Sequence, residues 1–140
     1  MTHLVLDASV VISGCGWGAE SHRCLVHVGR RRARSYVSEG IVEEWRETLS
    51  ELHRAGTKFR RDPWPALEWL IEVSHRVEPA PLGKRRSRDP NDDPYLACAL
   101  AARASFIISR DPDLLELGKP FGVEILTPRA YLSRAAEGFL

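Results

Sequence analysis

Two short apolar runs, each closely followed by an aspartate, constrain the fold of this chain most strongly. The run LVL at residues 4–6 ends at Asp7, and the run SFIIS at residues 105–109 is followed by Asp111. Continuous apolar runs of this length are typical of strands in a parallel sheet, because such strands are covered on both faces. We therefore predict two central strands at these positions.

Helical patterns alternate with strand patterns along the rest of the chain. Weaker strand candidates are RSYVS, HRVEP and GVEIL at residues 34–38, 75–79 and 122–126, and helices are predicted over 19–31, 39–54, 63–75, 94–104, 114–117 and 129–137. Strands that alternate with helices indicate an α/β protein with a mainly parallel sheet. A length of 140 residues is typical of a single domain, so we predict one domain over residues 1–140.

Composition and cysteine spacing exclude several other classes of protein. With 44% hydrophobic and 28% charged residues, the chain has the composition of a globular protein and contains no apolar run long enough to cross a bilayer. The first residues lack a basic region and include Asp7, so they do not resemble a signal peptide, and we expect a cytoplasmic protein without a membrane partner. The spacing of Cys15, Cys24 and Cys98 fits neither a zinc cluster nor a disulfide framework.

Aspartates follow both predicted central strands and also precede one of the predicted helices. Ligands of parallel sheets bind at the carboxyl ends of the strands, where we expect Asp7 and Asp111. The stretch RDPNDDPYLACALAA at residues 88–102 places further aspartates before an apolar helix, although one would suffice as an N-cap. From this stretch Asp92 is the candidate site residue, with Asp93 as its alternative.

A glutamate on the helix predicted over residues 39–54 extends this acidic set. Glu44 lies about 110° from the centre of the apolar face of that helix, at the border of the face. Glu43, Glu47 and Glu51 point further away. Because a border position lets a carboxylate reach into a crevice, we predict that Glu44 belongs to the site. Asp113, two residues after Asp111, is a secondary candidate.

These acids, without histidine or cysteine, indicate a site for a hard cation. Mg²⁺ and Mn²⁺ prefer oxygen ligands, and several carboxylates in one crevice would repel one another without a cation. Such a cation polarises a phosphodiester and activates water for in-line attack. Two basic clusters, at residues 29–34 and 83–88, are compatible with a phosphate polymer as partner, although a solvated surface is the simpler interpretation. From the second cluster, Arg85, Arg86 and Arg88 are the candidate RNA-binding residues.

The motifs LVLDASV, SEGIVEEW, DPNDDPYLACALAA and FIISRDPDLL, in this order, resemble those of the PIN-domain ribonucleases, in particular the VapC-like toxins of prokaryotic toxin–antitoxin operons. The resemblance covers essentially the whole chain. It implies a three-layer α/β/α sandwich around a mainly parallel sheet of about five strands. It also implies an Mg²⁺- or Mn²⁺-dependent endoribonuclease for single-stranded RNA, a small antitoxin partner and a homodimer.

Carried over residue by residue, the resemblance implies a catalytic and metal-binding set of Asp7, Glu44, Asp92 and Asp111. Ser9 and Ser109 match positions where the family often has a polar group that orients a ligand. The chain departs from the family where Ser109-Arg110-Asp111 replaces the commoner Thr-x-Asp, and the adjacent Asp93 leaves the third acid open. Two alternatives also stay open. One is a housekeeping RNA-processing or flap nuclease with the same site, and the other is a non-catalytic RNA-binding module whose acids only cap helices.

Overall fold

Five parallel strands form the sheet at the centre of the molecule. The structure is a computed structural model that describes residues 1–84, 86 and 90–138, except for the side chain of Asn91. The strands are β1 (Thr2–Leu6), β2 (Ala33–Val37), β3 (His75–Arg76), β4 (Phe106–Ile108) and β5 (Glu124–Leu126). Their order is β3-β2-β1-β4-β5, and every neighbouring pair is parallel. The predicted α/β fold with a parallel sheet of five strands is confirmed.

Seven α-helices lie in the described part of the chain. They are α1 (Ala8–Gly16), α2 (Ala19–Gly29), α3 (Glu39–Arg54), α4 (Trp64–Val73), α5 (Asp93–Ala102), α6 (Pro112–Leu115) and α7 (Pro128–Ala136). Single 3-10 turns occupy Pro90–Asp92 and Pro120–Gly122. Six of the seven helices match the predicted ones to within a few residues. None of the described helices is long and apolar enough to pass through a membrane.

Helix α1 was not predicted. Residues 10–16 of this helix are all buried, and they include four apolar side chains together with two glycines and a serine. A helix that is buried on all sides has no polar face, so its sequence lacks the 3.6-residue alternation that identifies surface helices. The segment therefore reads as a continuation of the apolar run that forms β1.

Strand β3 is shorter than predicted. Only His75 and Arg76 pair with β2, although the Val77 amide still donates to the Val37 carbonyl at 2.9 Å. Pro79 and Pro81 follow, and proline has no N–H to donate to a neighbouring strand. The sheet therefore ends at this edge after two residues.

The order of the strands determines where along the sheet a ligand site is expected. The chain crosses to opposite sides of β1 to form β2 and β4, so the point between β1 and β4 is the switch point at which doubly wound sheets bind ligands. Leu6 pairs with Ile108, and both residues are fully buried. The residues that follow these two strands, Asp7 and Ser109, are therefore side by side at the carboxyl edge of the sheet.

Candidate metal centre

Asp7 is a buried carboxylate at the switch point. It ends β1 and is the N-cap of α1, where its Oδ1 accepts the Val10 amide at 3.1 Å. The same oxygen accepts the Ser9 hydroxyl at 2.6 Å, and Oδ2 accepts the Ser109 hydroxyl. Only 3% of the residue is exposed. Burial raises the pKa of Asp7, these hydrogen bonds lower it in part, and the charge of Asp111 raises it further.

Ser9 and Ser109 join Asp7 to the segment that follows β4. Ser109 Oγ, which donates to Asp7, also accepts the Asp111 amide at 2.9 Å. Ser9 Oγ accepts the Arg110 amide at 3.0 Å. Each hydroxyl thus links the Asp7 carboxylate to a backbone amide across the switch point. The predicted supporting serines therefore contact the predicted first acid, and they fix the position of Asp111 relative to it.

Three carboxylates converge beside this segment. Within the described ranges, oxygens of Asp92, Asp111 and Asp113 lie within 4.8 Å of one another. Asp92 is buried in the turn before α5, while Asp111 and Asp113 are half-buried at the start of α6. Asp111 Oδ1 accepts the Asp113 amide at 2.9 Å, which places these two residues together. Three acids this close can share one cation, which would also relieve their mutual repulsion.

Asp93, the alternative third acid, has a different orientation from Asp92. Its Oδ2 accepts the backbone amide of Arg86 at 3.0 Å, so it holds the preceding loop against the start of α5. The Arg86 guanidinium donates to the Leu82 carbonyl at 3.1 Å and lies 4.9 Å from the centre of the Phe121 ring. The other two candidate RNA-binding residues, Arg85 and Arg88, lie outside the described residues.

Glu44, the candidate acid on α3, lies near the buried Tyr95. Glu44 is half-buried, whereas its neighbour Glu43 is exposed, as the predicted orientation of the helix requires. Burial raises the pKa of the Tyr95 hydroxyl, and the charges of Glu44 and Asp7 raise it further, because both carboxylates lie close to the hydroxyl oxygen. Trp45, the residue after Glu44, is fully buried and lies beside Tyr95.

The structure thus brings the predicted acids to one edge of the sheet but arranges them in two parts. Asp92 and Asp111 share the close cluster with Asp113, a secondary candidate from the sequence. Asp7 and Glu44 lie outside that cluster, and Asp7 is next to Asp111. Sequence reasoning gave no role to Tyr95, because an aromatic residue near the start of an apolar helix is ordinarily part of the core.

The first basic cluster lies away from these acids. Residues 30–32 are exposed and come directly before β2. Since the strands are parallel, the beginning of β2 is at the opposite edge of the sheet from Asp7. A polymer bound at the carboxylates would therefore meet Arg86 and Arg110 before it met this cluster. Arg110 donates to Ser13 Oγ at 2.9 Å.

A doubly wound parallel sheet with carboxylates gathered at its switch point is the arrangement of an α/β protein that can hold a cation at this edge. The PIN domain family profile matches residues 3–113, which is most of the chain, and the protein therefore belongs to the PIN domain family. PIN domains are generally metal-dependent nucleases, and the cluster of Asp92, Asp111 and Asp113 fits the divalent metal that they bind.

A solved structure, the crystal structure of PAE2754 from Pyrobaculum aerophilum, has the same fold. It superimposes with a TM-score of 0.64 over 96% of this chain and 90% of that chain, at 18% sequence identity. A comparison with curated proteins gives no significant match.

Proposed function

We propose that this protein is a metal-dependent endoribonuclease that cleaves single-stranded RNA. The observation that carries the proposal is the convergence of Asp92, Asp111 and Asp113 within 4.8 Å, next to the buried Asp7, in a chain of the PIN domain family. Acids that only cap helices do not need to lie close to one another, whereas these three converge from two separate segments of the chain. The non-catalytic alternative is therefore the less favoured one.

The chemistry of the donor set fits Mg²⁺ or Mn²⁺. The cluster offers carboxylate oxygens and no nitrogen or sulfur, which is the preference of hard cations. When bound, such a cation polarises the scissile phosphodiester and lowers the pKa of water. In this proposal Asp92, Asp111 and Asp113 hold the cation, while Asp7 and Glu44 complete the catalytic and metal-binding set. Ser9 and Ser109 keep the Asp7 carboxylate in a fixed orientation.

The test is cleavage of a labelled single-stranded RNA by purified protein with Mn²⁺ or Mg²⁺ and with EDTA. Asp92→Asn and Asp113→Asn should each lower the cleavage rate by about a hundredfold, because each removes a ligand of the cation. Asp93→Asn is the matched control, since its carboxylate contacts the Arg86 amide instead. Activity that persists in EDTA, or in the Asp92→Asn variant with Mn²⁺, would overturn the proposal.

We propose further that the enzyme is the cytoplasmic, homodimeric toxin of a toxin–antitoxin pair. The motifs of the sequence support this, and so does the physical chemistry of the site. A crevice with several carboxylates attracts cations, and an arginine of a small antitoxin offers planar, bidentate hydrogen bonding that can replace the metal.

Co-expression with the product of each neighbouring gene tests the toxin assignment. The expected result is a stable complex in which RNA cleavage is suppressed. A complex that cleaves at the full rate, or no binding by either product, would favour the alternative of a housekeeping RNA-processing or flap nuclease with the same site. Metal-dependent cleavage would distinguish both enzymes from a non-catalytic module.

A further inference from the structure

Two buried polar atoms between α3 and α5 are not explained by the packing of the core. Tyr95 is 1% exposed and Trp45 is not exposed at all. Neither Tyr95 Oη nor Trp45 Nε1 forms a hydrogen bond of normal geometry with any residue that the structure describes. Burial of polar atoms without partners is unfavourable, and such atoms in a native fold indicate a bound group or a small rearrangement.

The groups around Tyr95 Oη and Trp45 Nε1 indicate which hydrogen-bond partners these two atoms can reach. Trp45 Nε1 is a donor only, whereas the Tyr95 hydroxyl both donates and accepts. Asp7, one of the two carboxylates near Tyr95, already accepts hydrogen bonds from the Ser9 and Ser109 hydroxyls and from the Val10 amide. Glu44, the other nearby carboxylate, precedes Trp45 directly in the chain and is half-buried.

We propose that Tyr95 is a positioning residue for Glu44. In the metal-loaded protein the Tyr95 hydroxyl donates a hydrogen bond to the Glu44 carboxylate, and its oxygen accepts the Trp45 Nε1–H. This arrangement pairs both buried polar atoms and restricts the orientations of the Glu44 carboxylate. The inference rests on the metal site of the proposed function and not on RNA cleavage, because it assumes only that Glu44 serves that site.

The test is a double-mutant cycle of Tyr95→Phe and Glu44→Gln, with Mn²⁺ affinity measured by isothermal titration calorimetry. Tyr95→Phe keeps the ring and removes only the hydroxyl, so the fold should persist. We expect Tyr95→Phe to weaken Mn²⁺ binding by about tenfold in the native background and to have no further effect in the Glu44→Gln background. Tyr131→Phe is the matched control, since its buried hydroxyl lies 3.3 Å from His27 Nδ1.

A different set of results would overturn the inference. If the Tyr95 hydroxyl is only an unpaired atom of the core, Tyr95→Phe will raise thermal stability and leave Mn²⁺ affinity unchanged. Equal weakening in the native and Glu44→Gln backgrounds would show that Tyr95 does not act through Glu44. Because this readout needs no RNA, a protein that follows the cycle but cleaves no RNA would overturn the proposed nuclease function and leave the inference standing.

Discussion

The buried Asp7 carboxylate lowers the stability of the metal-free protein, although we propose that it serves the metal site. Its three hydrogen bonds only partly offset its burial, so its pKa in the folded protein lies above 3.8, the ordinary value of an aspartate. The folded state therefore holds the Asp7 proton more tightly than the unfolded state does. Consequently, the contribution of Asp7 to stability is lost as the pH rises from the unfolded pKa through the folded pKa.

Asp7→Asn should consequently leave the metal-free protein as stable as the native one, or more stable, at pH 7. The amide has almost the same shape and cannot ionise, so the gain should shrink as the pH falls towards 3.8. Thermal unfolding in EDTA, followed by circular dichroism across this pH range, checks the expectation. RNA cleavage with Mn²⁺ should fall by about a hundredfold. A melting temperature at pH 7 well below that of the native protein would contradict the argument.

Glu44 and Glu43 provide a matched pair on the same helix. Glu44 is half-buried near Tyr95, and Glu43 is exposed. We expect Glu44→Gln to reduce RNA cleavage about tenfold more than Glu43→Gln, because only the former changes a charge at the site. Initial rates at saturating Mn²⁺ are the measurement. Equal rates for the two variants would show that Glu44 has no special role.

The contact between α1 and α2 depends on glycine. A Cβ atom at Gly14 would lie 2.9 Å from Leu25 Cδ1 and 3.0 Å from the Ser21 carbonyl oxygen. The backbone of α2 can therefore approach the buried α1 closely only when residue 14 has no side chain. Gly40 in α3 is different, because no described atom lies within 4 Å of a Cβ added there.

Gly14→Ala should destabilise the protein by about 1–3 kcal/mol through overpacking, despite the higher helix propensity of alanine. Gly40→Ala, the control, should stabilise it by up to about 1 kcal/mol. Urea unfolding of the two variants gives both free energies. If Gly14→Ala were as stable as the native protein, the close approach of the two helices would be wrong.

Three cysteines from different helices report on the integrity of the entire core. Cys15, Cys24 and Cys98 are buried, and burial raises the pKa of each thiol to about 12. The thiols are therefore protonated at neutral pH and are unreactive in the folded protein. We expect a thiol reagent to label them only as fast as the protein unfolds, and a folded triple Cys→Ala variant to cleave RNA normally. Fast labelling, or loss of turnover with a native circular dichroism spectrum, would contradict this.

The salt dependence of RNA binding should show which of the two basic clusters contacts the RNA. Replacing Arg85, Arg86 and Arg88 by glutamine should reduce the slope of log affinity against log salt by about 2, because fewer counterions are released from the RNA. The matched control replaces Arg30, Arg31 and Arg32, which lie at the opposite edge. Filter binding at several salt concentrations measures both slopes. An equal change in both would show that RNA is not confined to the carboxylate edge.

Much of the fold follows from local patterns in the sequence. The apolar runs before Asp7 and Asp111 identify the two central strands, and parallel pairing then brings the two acids to the same edge. The amphipathic periods of α2, α3 and α7 are similarly local. Such features are predictable because neighbouring residues alone produce them, and Asp7 and Asp111 could be assigned to the carboxyl edge of the sheet on the same basis.

Other features depend on contacts between distant segments, which a local pattern does not encode. The burial of α1 removes the period by which a helix is recognised, and the membership of Asp113 in the cluster follows from the turn that Asp111 caps. The partners of Arg86 and the burial of Tyr95 beside Glu44 are likewise set by how loops and helices pack. The sequence alone therefore determined the strands, six of the seven described helices and the candidate acids. Packing between elements decided which carboxylates converge, because distances between side chains from separate segments are set by the assembled core.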